Sequence, residues 1–182
     1  LTVKTDTVVH RIVTDPKTGR ARGVEFIVDR TRARGVYTSR IVFLNAGTEA
    51  VCLVGKTHDF HVITALGLSL DENLENIAAS VAHAVAKGRE TLFDAEHFFD
   101  GFKANPDYAV AACKAAHDAG ARWIVLCDTN GGTLPPDIQG GVRAVIAAGI
   151  PGDHVGIHTH DDAGLGVANS LAAVTAGARQ IQ

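Results

Sequence analysis

Beyond residue 48 the apolar positions follow two rhythms. Short unbroken runs at Val51-Cys52-Leu53-Val54, Thr91-Leu92-Phe93-Asp94, Trp123 to Cys127 and Val155 to His160 read as buried strands. Arg179-Gln180-Ile181-Gln182 starts a fifth. Between the runs, apolar residues recur at helical spacing. Leu74, Ile77, Ala78, Val81 and Val85 form one stripe; Ile138, Val142, Val145 and Ile146 form another. Ser69 with Glu72 predicts a capping box at the start of the first helix, and Gly88 its stop. Asn105 followed by Pro106 opens a second helix, which runs to Gly120. Pro135 and Pro136 open a third that ends at Gly149, and Leu165 to Ala176 gives a fourth, stopped by Gly177.

Residues 1–47 have a different pattern. Thr7 to Val13 and Gly23 to Val28 are rich in β-branched residues, and the turn signal Asp15-Pro16-Lys17-Thr18-Gly19 lies between them. Val36 to Leu44 predicts a third strand, so this stretch is expected to be an antiparallel β meander. Three strands hold little core of their own and need a surface to pack on.

Charge sharpens that boundary. Residues 1–47 carry nine basic and four acidic side chains, whereas residues 48–182 carry eight and sixteen. Two modules are expected, 1–47 and 48–182. The net charge of -3 gives no reason to expect nucleic acid, and no apolar run is long enough to span a bilayer. Cys52, Cys113 and Cys127 are odd in number and widely spaced, which predicts reduced thiols in a cytoplasmic setting. A chain that opens on Leu1, contains no Met and stops within a strand is expected to be an excerpt or a fused frame.

Strands alternating with helices imply parallel pairing and right-handed crossovers. Two architectures fit, a (β/α)8 barrel and a doubly wound open sheet. Polar residues stand at the end of every strand run: Lys56 and His58, Asp94 and Glu96, Asp128 and Thr129, His158 and His160. Chemistry drawn from several strand ends favours the barrel, here a partial one. His158 and His160 share one side of their strand, where two imidazoles can grip one divalent ion; imidazole suits Zn, Fe, Ni and Cu, and added carboxylate or amide oxygens shift the preference toward Mg or Mn. Two partly buried, hydrogen-bonded histidines are the plainer alternative.

Four segments, GKTHDFHV at 55–62, FDAEHFFDGFKANPDYA at 93–109, VLCDTNGGTLP at 125–135 and GIHTHDDAGLGVANSLAAVTAGA at 156–178, resemble the TIM barrel of the citramalate synthase and 2-isopropylmalate synthase family. His58 departs from the expected Trp, and Asp161 from the expected Asn. The resemblance implies a metal-dependent condensation of acetyl-CoA with a small 2-keto acid, pyruvate, in amino-acid biosynthesis. It implies metal ligation by His158 and His160, with Glu96 in the keto-acid pocket and Thr129 on the keto acid's carboxylate. Asp94 is a weaker candidate, behind the metal ligands. Each has a structural alternative: Glu96 and Asp94 as helix-start carboxylates, Thr129 as a turn residue. In the family a further Asp ligand, a catalytic Arg and an Asn-containing ligand motif lie in segments that this sequence does not contain. The 182 residues alone are therefore expected to be inactive, and full-length members to be homo-oligomers.

Residues 1–47 also show a resemblance, carried by Leu1-Thr2-Val3, Gly23-Val24-Glu25 and Leu44-Asn45-Ala46-Gly47-Thr48, to the flavin domain of glucose-methanol-choline oxidoreductases. The Gly-rich phosphate turn of that family is absent, so no FAD is expected. A flavoprotein fragment, or a structural module without catalysis, is the alternative to the synthase.

Overall fold

A computed structural model describes residues 7–14, 21–28 and 49–182. The chain divides into two units, Leu1–Thr48 and Glu49–Gln182. In the first, β1 (Thr7–Thr14) and β2 (Ala21–Val28) pair antiparallel, from Thr7 opposite Val28 to Thr14 opposite Ala21. The ladder shifts register between Val9 and Arg11 and between Val13 and Thr14. The third strand expected over 36–44 lies outside the described residues.

The second unit holds β3 (Ala50–Lys56), β4 (Glu90–Glu96), β5 (Trp123–Asp128), β6 (Val155–Thr159) and β7 (Gln180–Ile181). They form one sheet in the order β3-β4-β5-β6-β7, and every pair is parallel. This order separates the two architectures left open above. A doubly wound sheet reverses its strand order at a switch point and carries helices on both faces. Here the order never reverses, so each right-handed crossover advances the same way and the helices lie on one side. That is barrel winding, with five strands of it described.

The helices form where caps and stripes predict. After a short turn, α1 (Asp59–His61), and a π-helical stretch Val62–Leu66, comes α2 (Leu70–Ala86). The Glu72 amide donates to Ser69 Oγ at 3.2 Å, and Glu72 Oε2 accepts the Ser69 amide at 2.8 Å, which completes the capping box. Next come α3 (Phe98–Ala104) and α4 (Pro106–Asp118), then α5 (Pro135–Ala147) and α6 (Gly166–Ala176). The sequence pattern does not reveal α3. It is only seven residues long, and its side chains Phe98 and Phe99 are buried. Its Gly101 fits because a Cβ there would stand 2.5 Å from the Thr57 carbonyl oxygen.

One sheet face packs on the helices. Phe93, Ala95, Ile124, Leu126, Val155 and Ile157 meet Ile77, Val81, Ala112, Ile138 and Val142 in a single core. Each fully buried side chain of Phe or Ile size contributes about 1.5–3 kcal/mol. The opposite face carries polar groups and thiols, and this alternation positions the site.

Candidate active site

Strand parity decides which side chains meet. Lys56 pairs with Glu96 in register, Asp94 with Val125, and Cys127 with His158. Side chains alternate along a strand, so Lys56, Asp94, Glu96, Cys127 and His158 all project from the face turned away from the helices. Asp128 has the opposite parity. Its buried carboxylate accepts the Thr133 hydroxyl at 2.6 Å and the Asn169 amide at 3.3 Å, tying the loop after β5 to α6.

His158 and His160 come together. Their ring centroids are 5.1 Å apart, and the planes differ by 27°. The His160 amide donates to the Asp128 carbonyl at 3.4 Å, which keeps the residue beside β5 after the strand ends. The carboxylate at His158 is that of Asp94, not Glu96: Asp94 Oδ2 is 3.6 Å from His158 Nδ1. Gln182 Nε2 donates to Asp94 Oδ2 at 2.9 Å and lies 3.3 Å from His158 Nδ1. Asp94 Oδ1 is buried without a hydrogen-bond partner. A paired set of imidazoles beside an unsatisfied carboxylate oxygen is a donor set that fits a divalent cation.

Glu96 forms an ion pair with Lys56 across β3 and β4. The Glu96 carbonyl accepts both the Thr57 amide, at 3.2 Å, and the Thr57 hydroxyl, at 2.8 Å. Thr129 Oγ1 accepts the His97 amide at 2.8 Å. His97 has φ 57, among the described residues the single non-glycine with positive φ. Its ring Nδ1 lies 2.9 Å from Asp100 Oδ2, which also accepts Asn130 Nδ2 at 2.7 Å.

A histidine cluster lies beside these strand ends, its rings tilted or edge-on to one another. The rings of His58 and His61 are 4.9 Å apart, and those of His61 and His97 4.5 Å. Burial, reinforced by the charges of His97 and His58, holds the His61 imidazole below the ordinary histidine range. His58, at the position expected to be Trp, caps α1: its Nδ1 accepts the Phe60 amide at 3.3 Å.

Asp161 and Asp162 lie in the turn between β6 and α6, and each has a structural partner there. Asp161 Oδ1 accepts the Gly166 amide at 2.7 Å at the start of α6. Asp162 packs on the turn at Gly131, where a Cβ would lie 2.5 Å from Asp162 Oδ2. Sequence reading missed Lys56 as the partner of Glu96, and Gln182 and Cys127 as neighbours of Asp94. For Cys127 a signal existed: it is two residues before Thr129 and shares its parity.

Among the described residues no helix is long and apolar enough to cross a membrane. A family model described as HMGL-like matches residues 5–182. The (R)-citramalate synthase of Streptomyces coelicolor is 51% identical over 139 residues, which are 76% of this chain and 26% of that protein. The (R)-citramalate synthase of Synechocystis sp. is 44% identical over 171 residues, covering 90% of this chain and 31% of that one. The chain thus spans about a quarter to a third of the length of these curated relatives. Among solved structures, the HMG-CoA lyase of Bacillus subtilis superposes with a TM-score of 0.64 at 19% identity, over 73% of this chain and 45% of that one. That likeness supports the barrel fold. The family and Synechocystis matches both run into residues 1–47, and nothing supports the flavin-domain resemblance there.

Proposed function

The chain belongs to the HMGL-like family, and from that membership we propose that it is part of a divalent-metal-dependent enzyme that condenses acetyl-CoA with pyruvate, as in (R)-citramalate synthases. One observation carries the reading. In a sequence 51% identical over 139 residues to such a synthase, His158 and His160 stack side by side on the face turned away from the helices.

His158 and His160 would hold the metal ion, which when bound supplies Lewis acidity toward a keto oxygen. The remaining work belongs to the protein's own groups. Thr129 Oγ1 is engaged as an acceptor by the His97 amide, so its own O–H is aimed elsewhere and can donate to the keto acid's carboxylate. Lys56 keeps a cation beside Glu96, and the Glu96 carboxylate bounds the pocket that receives the keto acid's side chain. The Thr57 contacts to the Glu96 carbonyl fix the spacing of the two strand ends. Such positioning is worth most when the supporting groups are locked by their own hydrogen bonds.

The test is Mn2+ binding to the 182-residue chain, followed by electron paramagnetic resonance with and without pyruvate. Pyruvate is expected to tighten Mn2+ binding, and the His158→Ala, His160→Ala double variant to lose both the binding and the effect. Thr129→Val is expected to bind Mn2+ and to lose the pyruvate effect. Equal Mn2+ binding by the double variant would overturn the assignment.

A further inference from the structure

Beside the His158–His160 pair lies a second constellation, which shares His158 with it and adds Asp94 and Cys127, two groups to which the synthase reading gives no role. Asp94 on β4, Cys127 on β5 and His158 on β6 each offer one ligand atom, and these atoms all lie within 4.8 Å of one another. They come from three adjacent parallel strands. Cys127 sits directly opposite His158, and Asp94 sits opposite Val125, two residues before Cys127. The Asp94 side chain is 9% exposed, and its Oδ1 is buried with no partner. Buried carboxylate oxygens are rarely left unpaired, and this one belongs to a side chain whose ligand atom faces a thiol and an imidazole.

We infer that Asp94, Cys127 and His158 form a binding site for a thiophilic divalent cation of the Zn2+ class, distinct from the position shared by His158 and His160. Ligand atoms held tetrahedrally at about 2.0–2.3 Å from an ion stand roughly 3.3–3.8 Å from each other. The Asp94 Oδ2 to His158 Nδ1 separation of 3.6 Å already falls in that range. The ion takes the Nδ1 side of the imidazole, the side facing Asp94, and displaces the Gln182 amide from both groups. As the sulfur–metal bond forms, the Cys127 thiol proton leaves to solvent, while Asp94 and His158 bind through an oxygen and a nitrogen lone pair. Water completes the coordination. A thiolate in the donor set selects Zn2+, Co2+ or Cd2+ over Mg2+ and Mn2+, the opposite preference to an all-oxygen site.

The experiment is a Co2+ titration of the reduced 182-residue chain, read by the thiolate-to-cobalt charge-transfer band in the near ultraviolet, with Zn2+ as the displacing ion. The band is expected in the parent chain and in His160→Ala. It is expected to vanish in Cys127→Ser and to need at least tenfold more Co2+ in Asp94→Asn, each variant checked by circular dichroism for an unchanged fold. No band at saturating Co2+ in the parent chain would overturn the site. So would a full band in Cys127→Ser, which would place the thiolate at Cys52 or Cys113. A chain that shows the band but fails the Mn2+–pyruvate test keeps this site and loses the synthase reading; the reverse result loses this site alone.

Discussion

The Thr129 hydroxyl accepts the His97 backbone amide at 2.8 Å, linking the end of β5 to the end of β4. The bond holds His97 at φ 57, a conformation that few non-glycine residues adopt and that His, Asn and Asp adopt more readily than the rest. Thr129→Val leaves that amide without its acceptor and is expected to cost about 1–3 kcal/mol of stability by urea unfolding. Thr129→Ser keeps the oxygen and is expected to stay within about 0.5 kcal/mol of the parent. Equal losses for both would show that the methyl group, not the hydroxyl, matters here.

Asn105 joins two elements. Its side-chain oxygen accepts the Tyr108 amide at 3.2 Å as the cap of α4, and its Nδ2 donates to Asp59 Oδ2 at 3.0 Å. That second bond is the main reason the Asp59 carboxyl sits below the usual range. Asn105→Ala is expected to lower stability by about 1–2 kcal/mol and to raise the Asp59 pKa, which carbon-detected NMR titration can follow.

Stability should rise with pH through the histidine range because of His61. Burial lowers its folded pKa, so near and below the ordinary value of about 6.5 the unfolded chain binds the extra proton. Acidification through that window therefore favours unfolding, and the contribution is complete above it. His61→Asn is expected to flatten the pH dependence of the melting temperature between about pH 5 and 7. An unchanged slope would assign it to another group.

Gly131 has φ +63, and a Cβ there would meet Asp162 Oδ2 at 2.5 Å. Gly131→Ala combines an unfavourable backbone conformation with a clash and is expected to cost about 1–3 kcal/mol. Gly132 has open space around it, so Gly132→Ala serves as the control.

Thiol release from acetyl-CoA and pyruvate by these 182 residues alone is expected to stay at background. The synthase resemblance places an Asp ligand and an Arg in a segment outside them, and both stabilise charge that develops during condensation. CoA release above the level of the His158→Ala, His160→Ala double variant would refute this.

The sequence by itself determined the elements of the second unit, because its signals are local. The Ser69–Glu72 capping box, the Asn105-Pro106 start and the stops at Gly88, Gly149 and Gly177 act within a few residues, and the helices end near them. Strand parity likewise put His158 and His160 on one side before any contact was known. The helix α3 stayed hidden because a seven-residue helix shows too little periodicity to be read. Strand order was decided by tertiary structure: barrel and doubly wound sheet share one local pattern and differ only in whether crossovers reverse. The partners of the site residues were decided there too. Which carboxylate reaches His158 depends on register between β4, β5 and β6, a long-range quantity, and that register sets Asp94 beside the ring and turns Glu96 to Lys56.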